Sequence, residues 1–132
     1  MACRFSELVV DCRDPEALAA WWAEVLGYRV LSREDGEVEI GPASGFGGPA
    51  PTLVFGRVAD PSPDKPRLHI DVSPTDRDQD AELERLLALG ATPADVGQTG
   101  REDWHVLADP EGNPFCLLRR RLDPLRDPER PT

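Results

Sequence analysis

Two side chains in this sequence are suited to acid–base chemistry and lie at matching places in an internal repeat. Glu7 lies 20 residues before Gly27, and His69 lies 21 residues before Gly90. A carboxylate can act as a base, and near neutral pH an imidazole can act as a base, an acid or a metal ligand. Facing one another, the two side chains would each favour the charged form of the other. The spacing therefore predicts Glu7 and His69 as the catalytic residues of any chemistry in this chain.

Plainer interpretations of these residues stay open. Glu7 can be a simply exposed residue at the start of a strand, and His69 can be a structural histidine that pairs with Asp71 or with Glu7. Asp11 and Asp71 occupy equivalent places in the two halves of the repeat. We predict both as ligand-binding positions, with exposure near a strand end as the alternative, because buried carboxylates are rare unless they are paired.

The closing strands of the two halves supply further candidates. Leu53 lies 46 residues after Glu7, and Cys116 lies 47 residues after His69, so one inserted residue in the second helix region would account for both offsets. This predicts Leu53 and Cys116 as ligand-binding positions, with Phe55 beside Leu53 by strand alternation. A lone thiol in an apolar hairpin can equally be a small buried hydrophobe.

Trp104 is predicted from the register of a hairpin around residues 109–113. Counting back from the turn, Val106 opposes Cys116 and Trp104 opposes Leu118, which places Trp104 on the ligand side and His105 on the other. A register error of one residue would exchange the two. A tryptophan in a pocket stacks on flat ligands, whereas packing in the core is the alternative.

The pattern of apolar residues predicts two βαβββ modules in one domain over residues 1–122. Module one covers residues 5–58, a linker covers 59–66, module two covers 67–121, and a polar, proline-rich tail covers 122–132. The predicted strands are 5–12, 28–32, 37–41, 52–58, 67–73, 92–96, 104–108 and 114–120, and the predicted helices are 15–26 and 78–89.

Composition limits the partners and the cellular compartment. The chain has 132 residues and a formal net charge of −10, which opposes binding to phosphate backbones and to anionic membrane surfaces. We therefore expect no nucleic acid and no membrane as a partner, and the sequence shows no secretory signal pattern. Three cysteines without a Cys-x-x-Cys spacing predict free thiols in a reducing cytoplasm.

Three segments carry a resemblance to a known family. The segments LVVDCRDPEALAAWWAEVLGYRV, RLHIDV and WHVLADPEGNPFCLL follow in the order and spacing of the vicinal-oxygen-chelate superfamily, which includes glyoxalases, bleomycin-resistance proteins and extradiol dioxygenases. The chain resembles the glyoxalase-like branch of that superfamily. The resemblance implies an α+β fold in which two βαβββ modules form a curved mixed sheet around a concave pocket, with helices outside, and it implies a homodimer.

The same resemblance implies where a metal would bind. In metal-using members four positions point into the pocket, and here they correspond to Glu7, His69, Leu53 and Cys116. Leucine cannot bind a metal, and Cys116 stands where the family usually has glutamate. We therefore favour no metal cofactor. If a divalent metal such as Zn, Ni, Mn or Fe binds, the predicted ligands are Glu7, His69 and Cys116.

These observations leave three functions open, and with them whether the protein is an enzyme. The first is a sequestration or resistance protein that binds a small apolar or aromatic organic molecule in a largely metal-independent pocket. The second is a lyase or isomerase of glyoxalase type that uses Glu7 and His69 with or without a divalent metal. The third is a regulatory or accessory subunit whose pocket is vestigial.

Overall fold

The fold consists of two units of α and β structure. A computed structural model describes residues 2, 4–59, 68–95 and 97–125 of the chain. Of the described residues, the first compact unit contains 2, 4–59 and 125, and the second contains 68–95 and 97–124. Each contains one helix and a four-stranded mixed sheet, which confirms the predicted α+β class and the two βαβββ modules. The common pocket that the resemblance implies stays a prediction.

The first unit follows the predicted element order closely. Its elements are β1 (Glu7–Cys12), α1 (Pro15–Leu26), β2 (Arg29–Glu34), β3 (Glu37–Gly41) and β4 (Thr52–Arg57). The strands lie in the order β1-β4-β3-β2, with β1 parallel to β4 and the other pairs antiparallel.

The second unit repeats this topology with shorter elements. They are β5 (Ile70–Val72), α2 (Gln79–Ala88), β6 (Thr92–Pro93), β7 (His105–Ala108) and β8 (Pro114–Leu117). The order is β5-β8-β7-β6, again with one parallel pair, β5 and β8. The predicted strands 67–73 and 92–96 are therefore too long. The linker residues 60–66 and the tail residues 126–132 lie outside the described residues.

Both helices begin at an aspartate cap. The Asp14 side chain accepts a hydrogen bond from the backbone N–H of Ala17 at 3.1 Å, and the Asp78 side chain accepts one from Ala81 at 2.9 Å. Each cap satisfies a backbone donor that the first helical turn leaves unpaired. Gly27 ends α1 with φ at 68°, a left-handed conformation that a side chain disfavours.

The core of the first unit lies between α1 and the sheet. Helix α1 contacts β3 and β4, and its buried residues include Leu18 and Trp22. On the sheet side Leu53 is only 5% exposed and Phe55 is fully buried. The buried residues of β3 and β4 that share this face are Val38, Ile40, Leu53 and Phe55.

The register of β1 against β4 corrects the predicted placement of Leu53 and Phe55. Glu7 pairs with Thr52, whereas Leu53 pairs with Leu8 and Phe55 pairs with Val10. Partners in a parallel ladder point to the same side of a sheet, and neighbours along a strand point to opposite sides. Leu53 and Phe55 therefore lie on the buried face, away from Glu7, and pack in the core.

A difference in loop length explains this error. Directly paired residues are 45 positions apart in both modules, as Glu7 with Thr52 and Asp71 with Cys116 show. The predicted net insertion of one residue in the second helix region is therefore wrong. Six residues, 73–78, separate β5 from α2, whereas only residues 13 and 14 separate β1 from α1. Counting back from the glycine that follows each helix therefore gave a wrong alignment of the two modules.

Among the described residues no helix is long and apolar enough to cross a membrane.

Candidate functional site

Three chemically different side chains meet on one face of the second sheet. His69 directly precedes β5, Asp71 is the second residue of that strand, and Cys116 lies on β8 directly opposite Asp71. The His69 Nε2 atom lies 3.0 Å from Asp71 Oδ1. One ligand atom from each of the three residues lies within 4.8 Å of the others. We call the face of the second sheet that carries His69, Asp71 and Cys116 the site face.

The site face is open to solvent at two of these residues. The side chains of His69 and Asp71 are 53% and 46% exposed, and Cys116 is partly buried. The pairing of His69 with Asp71 was one of the alternatives open at the level of the sequence. A carboxylate that accepts the imidazole N–H fixes the ring orientation and leaves Nδ1 for a second partner. The pair can therefore hold or move a proton at Nδ1.

The thiol of Cys116 is held in its protonated form. Partial burial, the negative charge of Asp71 and a hydrogen bond to Asp71 together raise the pKa of Cys116 above its ordinary value, with burial as the largest cause. Asp71 thus accepts from both neighbours, from the imidazole N–H and from the thiol S–H. A protonated thiol is a poor nucleophile, so covalent chemistry at Cys116 is disfavoured without another group that removes its proton.

A tight turn fixes the hairpin that carries Cys116. The buried carboxylate of Asp109 accepts hydrogen bonds from the backbone N–H groups of Glu111 and Asn113, both at 2.9 Å. The Asn113 side-chain amide donates to the same carboxylate. Gly112 adopts φ of 84° in this turn. The Asp-Pro-Glu-Gly-Asn segment is therefore a structural element that sets the register of β7 against β8.

That register confirms the predicted pairing of Val106 with Cys116, while His105 pairs with Leu117 on the other face. Trp104 lies one residue before β7 and is 45% exposed. The Gln79 side chain donates to the backbone oxygens of Asp103, at 2.7 Å, and of Leu117, at 3.2 Å. This bridge ties the start of α2 to the segment that carries Trp104. The stacking role of Trp104 stays a prediction.

The first sheet carries Glu7 and Asp11 on its own exposed face. Glu7, Val9 and Asp11 alternate along β1 and are all exposed, with Val9 at 57%. Thr52, which pairs with Glu7, is fully buried and donates to the Glu39 carboxylate at 2.9 Å. Glu7 belongs to the first unit and His69 to the second, so a joint role of the two side chains in acid–base chemistry stays a prediction.

The ends of the two parallel ladders show which positions correspond. The Cys12 carbonyl accepts from Val58 N–H at 2.9 Å, and the Val72 carbonyl accepts from Leu118 N–H at 2.8 Å. Cys12 thus corresponds to Val72, which confirms that Asp11 and Asp71 are equivalent. The same alignment matches His69 with Val9 and Cys116 with Gly56, so the first unit keeps only the aspartate of the three donors. Glu7 lies two positions before the counterpart of His69.

A cavity of about 370 Å³ lies in the first unit, and none of the predicted site residues lines it. It is lined by the start of α1 at residues 14–16, by the β2–β3 hairpin at residues 33–38 and by Arg57. An exposed ion pair between Arg33 and Glu16, at 2.8 Å, bridges two of its walls. Exposed ion pairs of this kind contribute little to stability. We assign no chemistry to this cavity.

The donors of the site face suit a borderline-soft metal better than a hard one. Zinc accepts imidazole nitrogen, carboxylate oxygen and thiolate sulfur, and a zinc site with three protein ligands keeps one position for water or substrate. Magnesium and manganese favour oxygen ligands. His69, Asp71 and Cys116 therefore fit zinc. The sequence predicted His69 and Cys116, together with Glu7, as the ligands only for the case in which a metal binds. The signal for Asp71 was its position two residues after His69, which places both side chains on one face.

The comparisons with known proteins agree with this fold. The glyoxalase-like domain family matches residues 7–118, which is most of the chain. The protein therefore belongs to the glyoxalase-like domain family of the vicinal-oxygen-chelate superfamily. None of the curated protein sequences matches the chain significantly.

Solved structures of the same superfamily share the fold. A glyoxalase/bleomycin resistance protein/dioxygenase family enzyme from Burkholderia phytofirmans PsJN is 20% identical, with a TM-score of 0.61 over 87% of this chain and 97% of that chain. A possible glyoxalase from Bacillus cereus is 14% identical, with a TM-score of 0.65 over 89% and 99%. A mutant of the fosfomycin resistance protein FosX from Listeria monocytogenes, complexed with Mn(II) and a dihydroxypropylphosphonic acid, is 16% identical, with a TM-score of 0.65 over 89% and 90%. At these identities the likeness concerns the fold alone.

Proposed function

We propose that this protein binds a small organic molecule, with an apolar or aromatic body, at the site face of the second unit. The observation that carries the proposal is the cluster of His69, Asp71 and Cys116. A small number of converging polar groups fixes the orientation of the ligand in typical small-molecule sites. In this proposal His69 and Asp71 hydrogen-bond a polar group of the ligand, and Trp104 stacks on its flat part. The biological role would be sequestration of the ligand or resistance to it.

Ligand-induced thermal stabilisation of the full chain tests this proposal. A panel of small aromatic and short-chain carbonyl compounds is screened by the shift in melting temperature. For a compound that binds, His69→Ala and Trp104→Ala should each abolish the shift. His105→Ala is the matched control, because His105 lies on the opposite face of β7 and should keep the full shift. Equal losses in His69→Ala and His105→Ala would remove the site face from the binding site.

A second candidate function, of glyoxalase type, is favoured by the hydrogen bond between His69 and Asp71. In a lyase or isomerase reaction, Asp71 would orient His69, and Nδ1 of His69 would take up a proton from the carbon next to a substrate carbonyl and return it. In this reaction His69 is not a metal ligand, because its Nδ1 atom must be unprotonated to act as the base. Glu7 stays a further predicted acid–base residue. Asp11, Leu53 and Phe55 carry no part of this reaction, because their predicted role is ligand binding rather than proton transfer.

Exchange of that proton with solvent distinguishes catalysis from simple binding. A compound that binds is incubated with the protein in deuterium oxide, and incorporation of deuterium is followed by proton NMR. In the catalytic case His69→Ala should slow the exchange by about 10²–10⁴-fold, the range for loss of a general base. Binding without exchange leaves the sequestration role.

We further propose that the protein acts in the cytoplasm, as its cysteine pattern predicts, and that it forms a homodimer, as the resemblance to its superfamily implies. The expected homodimer is tested by light scattering on the eluting protein, where the mass should be twice that of one chain. A mass equal to one chain at every concentration would contradict it.

A further inference from the structure

We propose that the second unit carries a complete zinc site by itself, with His69, Asp71 and Cys116 as the three protein ligands and with no ligand from Glu7. This inference does not depend on the proposed organic ligand. It differs from the ligand set that the sequence suggested, in which Glu7 and Cys116 shared the metal with His69. Asp71 takes the place of Glu7.

The backbone fixes the relative positions of the three ligands. His69 and Asp71 are two residues apart at the start of β5, so their side chains lie on the same side. Asp71 and Cys116 are direct partners in the parallel ladder of β5 and β8. The Asp109 turn in turn holds β8 in register with β7. Ligands that project from a hydrogen-bonded sheet are positioned more accurately than ligands on loops.

The distances are close to those of a bound zinc ion. Zinc bonds of about 2.0–2.3 Å place tetrahedral ligand atoms roughly 3.3–3.8 Å apart. The three donor atoms already lie within 4.8 Å of one another, and Nε2 of His69 is 3.0 Å from Oδ1 of Asp71. Small side-chain rotations at three partly exposed residues therefore suffice to close the site. Solvent reaches His69 and Asp71, which gives zinc a path of entry and leaves a fourth position for water.

The charge and proton balance of binding is simple. Zinc binds Cys116 as thiolate, so formation of the S–Zn bond breaks the S–H bond and releases one proton to solvent. Neutral His69 binds through the Nε2 lone pair, so its single proton, which Nε2 donates to Asp71 in the metal-free protein, moves to Nδ1. Asp71 exchanges the two hydrogen bonds that it accepts for a bond to the metal. The two positive charges of the zinc ion are then balanced by the Asp71 carboxylate and the Cys116 thiolate.

The first unit supplies an internal comparison. Its residues that correspond to His69, Asp71 and Cys116 are Val9, Asp11 and Gly56, which include only one metal donor. A chain with one such site should bind one zinc ion tightly. The formal net charge of −10 will attract further ions weakly, so occupancy alone is not a sufficient test.

The experiment uses the full, untagged chain after removal of metal with a chelator. Zinc affinity is measured by competition with a chromophoric chelator, and cobalt(II) is added separately to report sulfur ligation through thiolate-to-cobalt charge-transfer absorption. We expect one tight zinc ion per chain and a charge-transfer band. His69→Ala, Asp71→Asn and Cys116→Ala should each weaken zinc binding by more than about 100-fold, beyond the range for residues that only support a ligand.

Matched controls separate this site from other sources of binding. Cys12→Ala removes the other described cysteine, and His105→Ala removes the other histidine, and both should keep tight binding and the cobalt band. Glu7→Gln should also change the zinc affinity by less than about threefold. If a Cys116→Ala protein fails to fold, the near-isosteric Cys116→Ser variant should still lose the charge-transfer band.

Two results would overturn the inference. One is the absence of tight zinc binding by the unsubstituted chain. The other is loss of binding in Glu7→Gln with retention in Asp71→Asn, which would show that the metal takes its ligand from the first unit. Neither result bears on whether an organic compound stabilises the protein, so the proposed function is judged separately.

Discussion

Asp71 and Cys116 are direct partners across the parallel ladder of β5 and β8, and the thiol donates to the carboxylate. This contact joins a residue that the strand pattern of β5 placed near His69 to a residue that the closing hairpin supplies from 45 positions further along the chain. The arrangement of the site face therefore depends on the register of β8 against β5. A shift of β8 by one residue would point Cys116 to the opposite side of the sheet.

The first prediction concerns the acidity of Cys116 in metal-free protein. Because burial and Asp71 raise the thiol pKa, alkylation of Cys116 should have its midpoint at a higher pH than an ordinary thiol. Asp71→Asn removes a negative charge and should move that midpoint to lower pH, although burial keeps part of the shift. The rate is followed by mass spectrometry of the peptide that contains Cys116, over a series of pH values.

Asp11→Asn is the control for that experiment, because it makes the same change at the equivalent position of the first sheet. It should leave the alkylation profile of Cys116 unchanged. The raised pKa of Cys116 also predicts how the free energy of unfolding depends on pH. The protonated thiol favours the folded state, so this contribution to stability falls as pH rises through the ordinary thiol pKa toward the raised pKa of the folded protein. A midpoint at or below that of an ordinary thiol would contradict the contact.

The second prediction separates core residues from exposed ones in the first unit. Leu53→Ala should lower the free energy of unfolding by about 2–5 kcal/mol and Phe55→Ala by about 3–5 kcal/mol, the usual costs of emptying a core position. Val9→Ala, at an exposed position of β1, should change it by less than about 0.5 kcal/mol. The measurement is chemical denaturation of each variant. A small cost for Leu53→Ala, combined with loss of ligand binding, would return Leu53 to the site.

Local patterns in the sequence predicted the elements of the fold well, because each element is fixed by short-range chemistry. The caps Asp14 and Asp78 and the terminator Gly27 define the helices, and the turn at Asp109 sets a hairpin register that could be counted from the turn. The same counting identified Cys116 as the partner of Val106.

Alignment between distant strands could not be predicted in this way. The position of Leu53 relative to Glu7 depends on how many residues each connection and each helix takes up, and an error of one residue inverts the face. Whether Asp71 belongs to the metal ligand set depends likewise on its pairing with Cys116, which only the ladder between β5 and β8 reveals. Counting along the sequence therefore placed Glu7 in that set, whereas in the structure Asp71 lies beside His69 and Cys116.

The third prediction concerns two glycines in neighbouring strands. A Cβ atom at Gly41 would lie 2.7 Å from Leu31 Cδ1 and from Thr52 Cγ2, whereas a Cβ at Gly56 would meet only Glu37 at 3.8 Å. Thr52 is buried and hydrogen-bonded to Glu39, so it cannot yield easily. Gly41→Ala should therefore destabilise the protein by about 1–3 kcal/mol in chemical denaturation, as overpacking does.

Gly56→Ala is the matched control in the same sheet. It meets only ordinary contacts and restricts the unfolded chain, so we expect it to be neutral or to stabilise by about 0.4–1 kcal/mol. Equal effects of the two substitutions would show that Thr52 is not held in place by its surroundings.

The last prediction concerns acid-induced loosening of the loop before β7. The Glu102 carboxylate accepts from the backbone N–H groups of Thr99 and Gly100, at 2.8 and 2.9 Å, and from the Thr99 hydroxyl at 3.0 Å. These hydrogen bonds, led by those from the backbone, lower the pKa of Glu102 to about 2. Its stabilising effect on the loop should be complete above the ordinary glutamate pKa and should fall as pH falls through the folded value near 2. In amide exchange measured by NMR, the N–H groups of Thr99 and Gly100 should therefore stay protected at pH values where ordinary glutamates are already protonated, and Glu102→Gln should remove this protection.

Glu84→Gln is the control, because it removes the same charge from α2 and should leave both amides protected. Early loss of protection in the unsubstituted chain, near the ordinary glutamate pKa, would mean that the carboxylate does not hold this loop.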